Sequence, residues 1–330
     1  MFVVRHQRDW ARLEQLLGTS VAKMSGAEVD ELVELYQRTA THLSVVQTSG
    51  GDAVLIGRLS SLVARGRNAV AGTRKGALRD VVTFLTVDFP AVLYRARWWW
   101  IGTATAFLLV TVVWTAYLLH HPEIRASIAT PDELKDLVNH QFADYYKQAP
   151  AHDFAFKVFT NNAFIAATVI ACGLLLGLPI PYVLFTNAAN LAVAAALMIS
   201  AHRTGVFFGL ILPHGMLELT TIWVSAGLGL KLGWSTVDPG LRTRAQAMAE
   251  EGRALIVGAI GTTLLLLISG LIEGFVTPSG LPTCARIGIG AVAEAGFLYL
   301  VFGLGRKAAK AGVTGDLDRS RAGDQLPTSG

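Results

Sequence analysis

Residues 158–201 read VFTNNAFIAATVIACGLLLGLPIPYVLFTNAANLAVAAALMISA, a run of 44 residues without a charged side chain. A helix that spans a bilayer needs about 20 apolar residues, so this run is long enough for two. Its centre contains GLPIP at 177–181, and proline in mid-helix removes a hydrogen bond and breaks the helix. The run therefore predicts two spanning helices joined by a tight turn, with a re-entrant hairpin as the alternative.

Four further apolar stretches flank this run, at 98–119, 204–230, 254–272 and 287–305, and each is long enough for one span. The composition agrees with a helical membrane bundle, since 52% of the residues are hydrophobic, only 16% are charged, and 33 are glycine. We therefore predict an all-α fold, a polytopic membrane bundle of six transmembrane helices with an amino-terminal cytoplasmic helical domain.

Lysine and arginine in the loops indicate the orientation of these spans. Counted from residue 58 onward, with the amino terminus inside, 17 basic residues fall on the cytoplasmic side and six on the outside, as the positive-inside rule requires. The prediction is a multi-pass membrane protein with both termini in the cytoplasm. Its parts are a cytoplasmic helical domain with a basic interfacial segment (1–97), a spanning domain (98–305) that includes an outer loop (120–157), and a cytoplasmic, disordered tail (306–330).

The segments outside the membrane also show helical periodicity. Apolar residues recur at helical spacing in 9–17, 25–47 and 53–70, and Ser25 with Glu28 forms a capping-box pattern at the start of the second stretch. In the outer loop, 130–147 predicts an amphipathic helix. A basic surface in and after 53–70 is interpreted as facing solvent or lipid headgroups, so the bilayer is an expected partner and nucleic acid is not; its residues are Arg58, Arg65, Arg67, Arg74 and Lys75.

Ionisable side chains interrupt the later spans, where each costs free energy in lipid. His214 and Glu218 are four residues apart and share one helical face. Further candidates are Glu273, Glu294, Asn162 and Asn187. The predicted topology lets these groups converge into one buried polar cluster. That cluster could hold helices together by hydrogen bonds, relay protons, line a binding pocket, or bind a divalent metal through His214, Glu218 and Glu273.

The sequence gives little support for catalysis. The metalloprotease signature needs two histidines around a glutamate, and this segment has one. Ser225 and Ser269 are interpreted as isolated helix residues, and Cys172 and Cys284 as packing residues. We expect no catalytic residue and no cofactor, with a divalent metal as the one exception left open.

Three stretches resemble the stage II sporulation protein M family of bacterial inner-membrane proteins: 159–187, LPHGMLEL at 212–219 and LIEGFVTP at 271–278. The amino-terminal helices resemble those of the longer, non-sporulation branch of that family. The chain departs from the family pattern at Ala188, where a glycine usually follows the asparagine. The positions that match the family motifs are Asn162, Asn187, Pro213, His214, Gly215, Glu218, Glu273 and Pro278.

The resemblance implies a membrane component of cell-envelope assemblies that works with peptidoglycan-remodelling partners and is not itself an enzyme. The leading expectation is a non-catalytic membrane scaffold that recruits or positions other membrane or envelope proteins, with a homo-oligomer as a further possibility. An ion or small-solute transporter that uses the buried acids, and an intramembrane metal-dependent enzyme, are the alternatives.

Overall fold

The structure is a computed structural model that describes residues 2–19, 24–48, 52–71, 77–128 and 150–316. The chain divides into two compact units, the first ending at Val81 and the second beginning at Val82. Within the described ranges all regular structure is helical.

The amino-terminal unit contains three long helices, α1 (Phe2–Leu16), α2 (Gly26–Thr48) and α3 (Ala53–Ala71). All three were predicted, although α1 begins seven residues before the predicted start at 9. The capping box at the start of α2 is confirmed, because Glu28 N–H donates to Ser25 Oγ (3.3 Å) and Ser25 N–H donates to Glu28 Oε2 (2.8 Å). These bonds lower the pKa of the Glu28 carboxyl below its usual value, with the bond from the Ser25 backbone as the main cause.

Leucines and one tryptophan form the core of this unit. Trp10, Leu13, Leu32 and Leu59 come from all three helices and are almost completely buried. The periodic apolar residues of the sequence thus pack against one another, which makes this unit a small helical domain with its own core.

The second unit contains the six predicted spanning helices, and each is long and apolar enough to cross a membrane. Shorter helices, α4 (Ala77–Thr83), α5 (Phe89–Arg95) and α7 (Pro122–Ile128), lie before and after the first span. The spanning helices are α6 (Arg97–His120), α8 (Ala151–Cys172), α9 (Ile180–Ser200), α10 (Thr204–Val237), α11 (Arg244–Leu271) and α12 (Thr283–Tyr299).

Two π-helical segments extend the last spans. Ile272–Val276 continues α11, and Leu300–Gly305 continues α12 into a short final helix, α13 (Arg306–Lys310). The predicted six-span, all-α fold is therefore confirmed.

The turn predicted at GLPIP separates α8 from α9. Leu176 (φ 57°) and Gly177 (φ 73°) adopt left-handed backbone conformations there, and Pro181 lies in the first turn of α9, where proline is tolerated. The two helices have 22 and 21 residues, a rise of about 31–33 Å at 1.5 Å per residue. Each is therefore long enough to cross a bilayer by itself.

Two helices extend beyond the apolar runs that predicted them. The fourth span was predicted to end at Leu230, but α10 continues to Val237, and Lys231 in this extension pairs with Glu251 of α11 (Nζ to Oε2, 2.6 Å). Similarly, α11 begins at Arg244, ten residues before the predicted start at 254, behind a capping box formed by Thr243 and Gln246. Both helices thus extend beyond the apolar runs, into segments that contain an ion pair or a helix cap.

Helix α10 lies at the centre of the bundle and packs against α6, α8, α9, α11 and α12. Close backbone approach makes this packing possible. A Cβ on Gly229 of α10 would lie 2.5 Å from the Val169 carbonyl oxygen of α8, and one on Gly274 would lie 2.6 Å from the Ala151 carbonyl oxygen. Small residues let neighbouring helices contact each other through the backbone, as is usual in membrane bundles.

The boundaries between regions differ in detail from the predicted ones. Phe89, Val92 and Leu93, which lie inside the predicted domain 1–97, are buried in the core of the second unit together with Trp100. The predicted tail 306–330 begins with α13, and Asp316 forms an ion pair with Arg253 of α11. The helix predicted at 130–147 lies outside the described residues.

Candidate functional site

The candidate site begins on α10, where Pro213 precedes His214 and Glu218 follows one turn later. Helix α10 runs through Pro213 without interruption. Gly290 of α12 packs directly against it, since a Cβ on Gly290 would lie 2.2 Å from the Pro213 carbonyl oxygen. Neighbouring helices therefore support α10 at the position where proline removes a hydrogen bond.

Glu273 reaches the same place from the π-helical end of α11. Thr277 N–H donates to Ile272 O (3.0 Å), the wide turn that defines this segment. The Glu273 residue is 5% exposed, and its Oε1 lies 3.7 Å from His214 Nε2. One ligand atom from each of His214, Glu218 and Glu273 lies within 4.8 Å of the other two. We call these three residues the His-Glu-Glu cluster.

Two polar residues complete the surroundings of Glu218. Ser269 Oγ lies 3.1 Å from His214 O and 3.4 Å from Glu218 Oε2, so its single O–H is shared between two acceptors of α10. The Asn162 side chain of α8 also lies next to the Glu218 carboxyl group. Asn162 thus adds a third helix to the two that supply the His-Glu-Glu cluster.

The interpretation of Ser269 as an isolated helix residue was wrong. Ser269, Glu273 and Thr277 follow one another at intervals of four residues, which places polar groups on one side of a helix. This spacing was a signal in the sequence that could have identified Ser269 and Thr277 as members of the site.

Thr277 and Arg286 connect the cluster to a cavity. His214 Nδ1 lies 3.2 Å from Thr277 Oγ1, and Arg286 Nη1 donates to the Thr277 carbonyl oxygen (2.6 Å). Arg286, His202 and Arg203 line a cavity of about 470 Å³ between the start of α10 and α12. A chain of polar contacts thus leads from a basic cavity at the end of the bundle to buried His214.

Glu294 and Asn187 have their contacts elsewhere. Thr220 Oγ1 donates to Glu294 Oε1 (3.1 Å) across α10 and α12. Thr220 lies two positions after Glu218, and residues two apart on a helix face different sides. Asn187 Nδ2 donates to Val183 O (2.8 Å) within α9. Of the predicted polar residues, the structure thus brings together His214, Glu218, Glu273 and Asn162.

The His-Glu-Glu cluster contains two carboxyl groups and an imidazole. Within the described residues, lysine and arginine form their ion pairs with acids outside the cluster, such as Glu251 and Asp316. Glu273 Oε2 is buried and has no hydrogen-bond partner in the described part of the chain. This arrangement can hold protons or a cation, and it offers no positive group for an anion.

Six apolar helices around a buried polar cluster define a polytopic helical membrane protein. The family model of stage II sporulation protein M matches residues 104–278, more than half of the chain, and this range contains the whole His-Glu-Glu cluster. The chain belongs to that family. A second family model, described as "Domain of unknown function (DUF8413)", matches residues 1–72, the part that forms the amino-terminal unit. No curated protein and no solved structure matches the chain significantly.

Proposed function

We propose that the protein is a non-catalytic scaffold in the bacterial inner membrane that recruits or positions envelope or peptidoglycan-remodelling partners. The observation that carries this proposal is the combination of a compact helical unit with its own core and a membrane-spanning unit of the stage II sporulation protein M family. A scaffold needs an anchor and a separate surface that partners can bind.

The contacts of the amino-terminal unit support this division of roles. Its core residues are used internally, whereas charged pairs such as Arg58 with Glu14 and Arg38 with Glu34 lie on its surface. Exposed ion pairs contribute little to stability, so these positions are available for contacts with other proteins.

Site-specific photo-crosslinking in cells tests the scaffold proposal. A photoreactive side chain at Val54, which is 78% exposed on α3, should crosslink to the same envelope protein as one at neighbouring Arg58. Val292 of α12, which is 74% exposed on a spanning helix, is the control and should crosslink to lipid only. Crosslinking at Val54 and Arg58 to lipid alone would contradict the proposal.

Transport of an ion or small solute is the second candidate, because carboxyl groups inside a spanning bundle often serve transport. Neither of the two cavities described, one beside Arg286 and one beside Trp98 and Ile180, is lined by Glu218, Glu273 or Glu294. Saturable uptake into proteoliposomes that is lost in Glu218→Gln would place transport ahead of the scaffold role.

An intramembrane metal-dependent enzyme is the third candidate, since the His-Glu-Glu cluster has the donor atoms of a metal site. Its donors come from one histidine and two glutamates, and the sequence pairs them with no recognisable nucleophile. The non-catalytic role therefore remains our proposal.

We also propose that both termini lie in the cytoplasm, on the basis of the basic residues in the loops. Single cysteines at Ser127 and Ala311 test this orientation in a protein that lacks Cys172 and Cys284, of which Cys284 is exposed. On intact cells, an impermeant thiol reagent should label the cysteine that replaces Ser127 and not the one that replaces Ala311. The reverse pattern would invert the topology.

A further inference from the structure

Two helices supply the three residues of the His-Glu-Glu cluster, and the one distance described between these residues is too long for a hydrogen bond. His214 and Glu218 come from one face of α10, and Glu273 comes from the π-helical segment after α11. Their ligand atoms lie within 4.8 Å of one another. The shortest separation described, 3.7 Å between His214 Nε2 and Glu273 Oε1, is too long for a hydrogen bond.

One oxygen of this cluster requires compensation. Glu273 is 5% exposed, and its Oε2 has no hydrogen-bond partner among the described residues. Leaving such an acceptor buried without a hydrogen bond destabilises the fold, and more so if the carboxyl group is charged. A positive charge or a proton at this position would offset that cost.

Hydrogen bonding at Thr277 orients the imidazole. Thr277 Oγ1 lies 3.4 Å from Ile272 O, to which its O–H donates, and 3.2 Å from His214 Nδ1. In the tautomer whose Nδ1–H donates to Thr277 Oγ1, the threonine O–H is left to donate to Ile272 O, and the imidazole lone pair is on Nε2, the nitrogen that faces Glu273 Oε1. In that tautomer two electron-pair donors face each other across 3.7 Å.

This geometry resembles the edge of a metal coordination sphere. Zinc binds nitrogen and oxygen ligands at about 2.0–2.2 Å, which places neighbouring ligands of a tetrahedral site about 3.4 Å apart. The 3.7 Å separation is close to this value. A histidine whose Nδ1–H donates to an outer oxygen while Nε2 binds the metal is the usual arrangement in such sites.

We propose that His214 Nε2 and one carboxylate oxygen from each of Glu218 and Glu273 bind a divalent transition-metal ion inside the spanning bundle. One imidazole and two carboxylates form a donor set that suits zinc and its neighbours, whereas calcium requires six to eight oxygen ligands. Asn162 and Ser269 lie around Glu218 and orient it from α8 and α11. The ion would connect α10 to the end of α11.

Metal binding to purified protein in lipid nanodiscs tests this proposal. The full chain carries a purification tag without histidine, is stripped with a chelator, and is titrated with Zn²⁺ by calorimetry. His6 is changed to alanine throughout, because His6 and His42 stack with ring centroids 4.0 Å apart and could bind zinc on the surface. We expect saturable binding of one Zn²⁺ per chain and a higher melting temperature of the spanning unit with zinc, since a ligand that binds only the folded state stabilises it.

Three variants separate ligands from neighbours. Thr277→Val removes the outer partner of His214 and should weaken Zn²⁺ binding by roughly 10–100-fold. Glu273→Gln removes a ligand and should weaken binding more, by over about 100-fold. Glu294→Gln removes a carboxyl group that bonds to Thr220 outside the cluster and should leave binding unchanged.

X-ray absorption at the zinc edge keeps the proposal testable if Glu273→Gln does not fold. The parent protein should show nitrogen and oxygen ligands with one imidazole and no sulfur. The absence of saturable binding in the parent, equal loss in Glu273→Gln and Glu294→Gln, or a sulfur ligand would each overturn the proposal. In the first case the cluster would hold a proton where we place the metal.

Discussion

In the amino-terminal unit Leu13, Leu32 and Leu59 are fully buried and ion pairs such as Arg12 with Glu31 lie on the surface. The spanning unit has a buried apolar core as well, but it differs in two respects. Many large apolar residues also face outward along its helices, and glycine, serine, threonine and the His-Glu-Glu cluster lie between the helices. In water, burying leucine drives packing. In lipid, leucine gains little from burial, so close backbone approach and internal hydrogen bonds hold the helices together.

The largest effect is expected where a side chain would separate two backbones of the spanning unit. Gly290→Leu should cost more than the roughly 1–3 kcal/mol usual for overpacking, because the new Cβ meets the Pro213 carbonyl and not a flexible side chain. We expect loss of folded, monodisperse protein in detergent. Gly288→Leu, at a position with nothing within 4 Å, is the matched control. Equal stability of the two variants would refute the close contact between α10 and α12.

A core leucine of the amino-terminal unit is expected to matter next. Leu32→Ala should destabilise that unit by about 2–5 kcal/mol, the range for large-to-small changes in a soluble core. Leu109→Ala, at a position that is 63% exposed on α6, should have little effect because lipid can replace the lost contact. Hydrogen exchange of the full chain, followed by mass spectrometry, reports both. Faster exchange in α6 than in α1–α3 would reverse the comparison.

Within the spanning unit, His214 and Glu273 should act together. In chelator-treated protein, the effects of His214→Ala and Glu273→Gln on unfolding free energy should be non-additive by about 0.5–3 kcal/mol, because residues in one network couple. The pair Glu273→Gln and Glu294→Gln should be additive, since Glu294 bonds to Thr220 elsewhere. Additivity in both pairs, measured by denaturation in mixed detergent, would show independent polar residues in place of a cluster.

The smallest effect concerns pH and the amino-terminal unit. His42 Nδ1 accepts a hydrogen bond from Trp10 Nε1 (3.1 Å), and burial, followed by repulsion from His6, lowers the pKa of His42 below its ordinary value. A histidine with a lowered pKa in the folded state stabilises above its unfolded pKa of about 6.5 and loses that contribution as pH falls below it.

Hydrogen exchange between about pH 8 and about pH 5.5, on either side of that ordinary pKa, should therefore show less protection of α1 and α2 at the lower pH. His42→Gln can accept the Trp10 bond and does not titrate, so the ratio of parent to variant protection isolates this histidine. A ratio that does not change with pH would contradict the assignment.

The sequence predicted what depends on local composition. Apolar runs located all six spans, and the capping pattern at Ser25 located the start of α2. It did not predict that α10 would continue through Lys231, because the partner of that charge is Glu251, twenty positions away. In the sequence alone, the charge of Lys231 indicated the end of a span.

The site was predicted in part for the same reason. The spacing of His214 and Glu218 was visible along the chain, but the place of Glu273 depends on the π-helical turn at Ile272–Val276. Separating Glu294 from the cluster required knowing that Thr220 and Glu218 face different helices. Contacts between distant segments, which no single window of sequence contains, decided both points.

The ion pair between Arg253 and Asp316 has a mechanical consequence. It joins the first part of α11 to the residues after α13, so the last two spans form a hairpin whose open end is closed by an ion pair. Along its most apolar stretch α12 buries only 17% of its residues, against 56% for α11, which makes it the easier of the two to pull away. A pulling force at the carboxy-terminal end would therefore act on the ion pair between Arg253 and Asp316 before it acted on α12.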